Sequence, residues 1–122
     1  MNLNIRTGID IVEISRMTES IAQRILGKDE KVIYDSLGGE RRRMEFAAGR
    51  FAAKEAFVKA LGRKDIEFSK IQFLTDEGGR PIPSDELKQL IKNSDLTVSI
   101  SHEREYAVSI VILFGEDQND NV

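Results

Sequence analysis

The sequence predicts an α+β fold. Three observations carry this. Apolar and polar residues alternate in strand fashion near both ends of the chain. Residues 40–61 hold many good helix formers, no Pro and no Gly except Gly49. The predicted elements follow the order β, α, α, long α, β, α, β, β, which lacks the strict alternation of a doubly wound parallel sheet. With 122 residues and about 150 residues to a typical domain, one domain is expected. It spans residues 1–116, with a polar tail over 117–122.

Residues 3–12 read as a strand, because Leu3, Ile5, Ile9 and Ile11 alternate with Asn4, Arg6, Gly8 and Asp10. Ser15 is the expected N-cap of a short helix reaching about Leu26, with Gly27 as its C-cap. Asp29 caps a second short helix through Leu37, and Gly38-Gly39 breaks the chain. The long helix over 40–61 ends near Gly62. Residues 67–74 read as a strand and 77–81, Glu-Gly-Gly-Arg-Pro, as a turn. Ser84 caps a helix to about Asn93. Strands over 96–101 and 105–114, joined around His102-Glu103-Arg104, form a hairpin.

Composition narrows the function. Lys and Arg number 18 against 21 Asp and Glu, for a net charge of −3, so a nucleic-acid coat protein is not expected. The absence of Cys excludes disulfides, thiolate nucleophiles and iron–sulfur clusters, and suggests a cytoplasmic setting. A single His excludes a multi-histidine metal site within one chain. The longest apolar stretch, near 107–114, is too short to cross a bilayer, so no membrane partner is expected. No P-loop, dinucleotide-binding glycine pattern or G-x-S-x-G elbow occurs.

The long helix carries the chemistry. At about 100° per residue, Arg50 and Lys54 fall on one flank and Glu55 and Lys59 on the opposite one. Most of the remaining circle is apolar, as in a buried central helix. Charges on such a helix need partners, solvent, a metal or a ligand. Glu55 and Lys59 are either an i,i+4 pair at a half-exposed edge or a site with Glu55 as metal ligand and Lys59 as phosphate contact.

Asp10 interrupts the run Gly8-Ile9-Asp10-Ile11-Val12 in what reads as a central strand. It is held by a backbone or Arg hydrogen bond, or it faces a ligand, with Gly8 leaving room beside it. His102 closes a strand next to Ser101. Arg41-Arg42-Arg43 sits at a helix start, where the macrodipole disfavours cations. That run is a solvated helix start or an anion contact. Two carboxylates, a Lys and a His together suit Mg²⁺ with a polyphosphate.

Three segments, in this order, resemble one family: Thr-Gly-Ile-Asp-Ile-Val-Glu-Ile (7–14), Ala-Gly-Arg-Phe-Ala-Ala-Lys-Glu-Ala-Phe-Val-Lys-Ala (48–60) and Val-Ser-Ile-Ser-His (98–102). They are similar to the bacterial holo-[acyl-carrier-protein] synthases, the small 4′-phosphopantetheinyl transferases, over residues 3 to about 114. The resemblance implies a small antiparallel sheet packed on a long central helix, and a homotrimer with active sites between subunits. It implies Mg²⁺-dependent transfer of phosphopantetheine from coenzyme A to a serine of apo acyl carrier protein, releasing adenosine 3′,5′-bisphosphate.

By the resemblance, Asp10 and Glu55 hold the metal and Lys59 meets the transferring phosphate. Arg50 and His102 bind the nucleotide, joined by Arg41, Arg42 and Pro81. Arg16 docks the acidic carrier, with Arg24 adding to the steering charge. Three departures stand out: the loop after Leu61 is short, Glu103 stands where the family usually has Thr, and the first helix is short with fewer basic residues than the family leads one to expect. The competing expectations are a non-catalytic trimer that binds coenzyme A or a carrier, and a Mg²⁺-dependent nucleotide pyrophosphohydrolase.

Overall fold

The central element, α3 (Glu40–Leu61), lies across one face of a three-stranded antiparallel sheet in a computed structural model that describes residues 3–116. The sheet joins β1 (Leu3–Glu13), β4 (Ser94–His102) and β5 (Tyr106–Glu116) in the order β1-β5-β4. Around this pair sit α1 (Glu19–Ile25), α2 (Lys28–Ser36), a small hairpin of β2 (Phe73–Thr75) and β3 (Pro81–Pro83), and α4 (Asp85–Ile91). This is the expected α+β architecture, with a small sheet on a long helix. The polar tail over 117–122 lies outside the described residues.

The bounds of α3 match the expectation. Gly39 precedes it with φ 89°, and Gly62 closes it in the left-handed region at φ 81°, which favours glycine. Its small residues Ala48, Ala52, Ala56 and Ala60 are buried and let the sheet lie close. Phe57, Ile71, Phe73, Leu87, Val111 and Leu113 fill the main core around this contact. Each buries about 1.5–3 kcal/mol of apolar surface.

β1 alternates as expected, but its apolar side faces away from α3. Ile5, Ile9 and Ile11 are 58–63% exposed, while Gly8 is buried. The helix backbone forces this choice: a Cβ on Gly8 would stand 1.9 Å from the carbonyl oxygen of Ala56. β1 is an edge strand, not the central one; β5 is central, and its Ala107, Ser109, Val111 and Leu113 face α3.

Other boundaries move. Thr18, not Ser15, caps α1: its Oγ1 accepts from the Ile21 N–H at 3.1 Å. Ser15 lies in a 3-10 turn over Ile14–Arg16 and donates to Glu13 instead. Gly27 is the N-cap of α2 rather than a C-cap, so Asp29 falls inside its first turn. The strand expected over 67–74 splits into a 3-10 turn (Phe68–Lys70) and β2, because the carbonyls of Phe68 and Ile71 are taken by a buried lysine rather than by a strand partner. Ser84 caps α4 as expected, with its Oγ accepting from the Leu87 N–H at 3.2 Å, but the helix ends at Ile91.

Candidate active site

The close approach at Gly8 sets one end of the site. It seats β1 on α3, so Asp10, two residues on and on the same face, comes beside Lys59. The Lys59 ammonium donates to the Ile9 carbonyl at 2.9 Å and to Asp10 Oδ1 at 3.2 Å. Glu55, one turn back along α3, lines a cavity of about 410 Å³ together with Asp10, Glu13, Arg16, Met17 and Phe51. No ion pair joins Glu55 to Lys59; Lys59 pairs with Asp10 instead. Asp10 therefore has a lysine partner, not the arginine or backbone donor that the strand pattern suggested.

Three carboxylates line this cavity, Asp10 and Glu13 from β1 and Glu55 from α3. Among the described residues, no group of three or more His, Asp or Glu side chains could hold a metal. As oxygen donors, Asp10 and Glu55 suit a hard ion of the kind that takes one or two carboxylates and fills its shell with water and phosphate, as Mg²⁺ does. They do not fit a site for a soft transition metal.

The opposite flank of α3 builds a second cavity, of about 390 Å³, lined by Arg42, Glu45, Gly49, Arg50, Thr75 and His102. Arg50 is largely buried. Its Nε donates to the Phe73 carbonyl at 2.9 Å; its Nη2 donates to the Leu74 carbonyl at 3.1 Å and to Thr75 Oγ1 at 2.8 Å. The guanidinium also stacks 4.3 Å from the ring centre of Phe46. Burial pushes Arg50 down, to about 10, with the charge of Glu30 opposing, so it remains a cation at neutral pH.

His102, the last residue of β4, stands 3.9 Å through Nδ1 from Glu45, and Glu45 in turn holds Arg41 Nε at 3.2 Å. Arg41 itself leans away and donates to the Arg104 carbonyl at 2.8 Å, in a separate cavity with Met44 and Glu13. Pro81 lines a neighbouring cavity between the β2–β3 hairpin and β4, which shares Gly79 and Ile100 with the second cavity.

The residues predicted from sequence therefore fall into two groups. Asp10, Glu55 and Lys59 converge on one flank, with Arg16 at the same cavity. Arg42, Arg50 and His102 converge on the other, with Arg41 and Pro81 adjoining. Among the described residues, the two groups line different cavities. Sequence reasoning missed Glu45, Thr75 and Phe46, whose roles appear only once β2 and β4 meet α3. It also missed Glu30, the fully buried partner of Lys54 at 2.6 Å. A Gly-x-x-Glu helix start at 27–30 was the one local signal for Glu30, whose carboxylate accepts from the Gly27 N–H at 2.9 Å.

Known proteins similar to this chain share its family and fold. Residues 6–111 match the model of the 4′-phosphopantetheinyl transferase superfamily. A holo-[acyl-carrier-protein] synthase from Petrotoga mobilis is 40% identical over 115 residues, 90% of this chain and 96% of that protein. One from Staphylococcus carnosus is 44% identical over 115 residues, covering 87% and 93% of the two chains. The crystal structure of a holo-(acyl-carrier-protein) synthase from Bacillus anthracis in complex with CoA (3′,5′-ADP) superposes with a TM-score of 0.80 at 36% identity, over 94% of this chain and all of that one. The match runs through β1, α3 and the hairpin that supply both groups of side chains, and the chain belongs to the 4′-phosphopantetheinyl transferase superfamily.

Proposed function

We propose that this chain transfers the 4′-phosphopantetheine group of coenzyme A to a serine of apo acyl carrier protein, with Mg²⁺ and with release of adenosine 3′,5′-bisphosphate. The observation that carries the reading is the meeting of Asp10 and Glu55 at one cavity, with Lys59 bonded to Asp10 beside it, in a member of this superfamily. Curated relatives at about this level of identity are holo-[acyl-carrier-protein] synthases, and the Bacillus anthracis relative was crystallised with coenzyme A.

Asp10 and Glu55 are the residues that would hold Mg²⁺, which when bound neutralises charge on the pyrophosphate. Lys59, steered by the Ile9 carbonyl, aims its ammonium along β1 to meet the transferring phosphoryl. Phosphoryl transfer needs positioning and charge more than covalent help, so the carrier serine attacks in line once seated. Arg16 at the mouth of this cavity, with Arg24 in the last turn of α1, supplies local positive charge for an acidic carrier on a net acidic enzyme. Arg42, Arg50 and His102 grip the nucleotide end of coenzyme A, with Arg41 and Pro81 flanking. One transferase domain, residues 1–116, carries all of this, and a cytoplasmic setting suits both substrates; among the described residues no helix is long and apolar enough to cross a membrane.

Both groups serve one reaction if a second copy completes the site. Two features support a homotrimer with shared sites. The groups sit on opposite flanks of α3, and the sheet face turned away from α3 presents Leu3, Ile5, Ile9, Ile11, Tyr106 and Ile110 to solvent in a lone chain. Burying that face between copies brings the β1 flank of one protomer toward the β4 flank of the next.

The test mixes two variants, Glu55→Gln and His102→Ala. Neither alone should modify apo carrier protein. Unfolded together and refolded, they should regain about a quarter of wild-type activity, since random assembly leaves that share of shared sites intact. The readout is a gain in carrier mass of one phosphopantetheine group. No regain would place the whole site within one chain. Wild-type cleavage of coenzyme A without carrier would point to a pyrophosphohydrolase, and binding with no turnover to a non-catalytic module.

A further inference from the structure

The Glu30–Lys54 ion pair is the most deeply buried charged group in the described chain, and the reaction as proposed does not use it. Both side chains are 0% exposed. Lys54 donates to Glu30 Oε1 at 2.6 Å, to the Phe68 carbonyl at 2.9 Å and to the Ile71 carbonyl at 2.6 Å, which satisfies all three ammonium protons. Glu30 Oε1 also accepts from the Gly27 N–H, and its Oε2 accepts from the Phe73 N–H at 2.8 Å. Gln72 locks the seat: its Oε1 accepts from the N–H groups of Asp29 at 2.9 Å and Glu30 at 3.1 Å.

Phe73 is the hinge pin of this network. Its N–H is held by Glu30, and its carbonyl is held by Arg50 Nε. Lys54 and Arg50 lie one turn apart on α3, so they clamp the segment 68–75 at two adjacent levels. That segment cannot place itself, because its only ladder is the three-residue pairing of β2 with β3. Stability alone does not call for an ion pair here, since apolar residues of similar volume serve buried sites as well or better. What an ion pair with five directed hydrogen bonds adds is position.

We propose that Glu30 and Lys54 are positioning residues for Arg50. Through the backbone of Phe73 they fix the carbonyls that orient its guanidinium, and thereby the grip of the second cavity on the nucleotide end of coenzyme A. The inference rests on the nucleotide role proposed for Arg50.

The experiment compares wild type, Arg50→Ala and the double variant Glu30→Gln with Lys54→Met, each held well below its melting temperature. Calorimetry gives the dissociation constant for adenosine 3′,5′-bisphosphate, and steady-state kinetics give KM for coenzyme A and kcat. The double variant should bind the nucleotide at least tenfold more weakly and raise KM to match, while kcat at saturating coenzyme A stays within twofold. A role in folding alone would leave KM unmoved in the folded fraction.

Nucleotide affinity within twofold of wild type in the double variant, with Arg50→Ala weakened, overturns the inference and keeps the function. Wild type that binds no nucleotide overturns both. If the double variant does not fold, Gln72→Met loosens the seat and keeps the ion pair. A threefold rise in nucleotide dissociation constant at constant kcat then supports the inference, and an unchanged constant overturns it.

Discussion

The two flanks of α3 use charge in opposite ways. On the flank of Arg50 and Lys54, the protein itself answers almost every donor, with backbone carbonyls of residues 68–74 and the carboxylate of Glu30. On the flank of Glu55 and Lys59, Glu55 has no ion pair among the described residues and Lys59 shares a half-open contact with Asp10 beside a cavity. A charge whose hydrogen bonds are complete, as at Lys54, is holding the fold; one whose bonds are incomplete, as at Glu55 or at the Nη1 end of Arg50 that borders the second cavity, is available to a ligand. Spacing on a helical wheel finds both flanks alike. Only the partners tell them apart.

Removing one charge from each flank should break the symmetry most strongly. Lys54→Met leaves Glu30 buried and unpaired, and should cost about 3–5 kcal/mol of stability. Lys59→Met touches an exposed pair and should cost at most about 1 kcal/mol. Urea denaturation of both variants checks the contrast, and equal losses would erase it. Activity should rank them the other way: Glu55→Gln or Lys59→Met, folded as wild type, should lose on the order of a hundredfold in kcat, because under the proposed function the first removes a ligand of the Mg²⁺ and the second the cation that meets the reacting phosphate. Steady-state assays with apo carrier protein measure this.

Alkali should act through a different buried group. Tyr34, buried on α2, donates to Glu19; burial and that carboxylate push its phenol up, to about 12. The unfolded phenol loses its proton first, near 10, so the folded state binds more protons between pH 10 and 12. Stability therefore falls across that window, by on the order of 2 kcal/mol, having been constant in this respect below it. Tyr34→Phe should flatten the fall in chemical denaturation run at stepped pH. The smallest effect sharpens the border of the open flank. Thr18→Ala should cost about 1 kcal/mol by uncapping α1, while Ser15→Ala should be close to neutral. Paired melting curves distinguish them.

These contrasts also show what a sequence can and cannot carry. The ends of α3 are legible because Gly39 and Gly62 sit at positive φ, a local property. The β4–β5 hairpin is legible because Leu96, Val98 and Ile100 alternate with polar residues, a charged turn follows, and a short apolar run comes next. Asp10 stood out because a carboxylate is foreign to a strand, and Glu55 and Lys59 because their flank is polar on an apolar helix. The inward face of β1 was not legible: period two defines two faces, and the choice between them was made by contact of Gly8 with the Ala56 backbone, far away in sequence. The partner of Lys54 lies 24 residues off with no periodic signal linking the two. Thr18 and Ser15 offer the same hydroxyl three residues apart, and only the start of α1 picks between them.

The outward isoleucines of β1 bear on how the protein behaves when scarce. A lone copy leaves these ribs wet, and under the proposed assembly it carries only half of the machinery. Output per molecule should then drop on dilution instead of holding steady. Abundance becomes a throttle: halving the number of copies in a cell would slow the arming of carrier proteins by more than half.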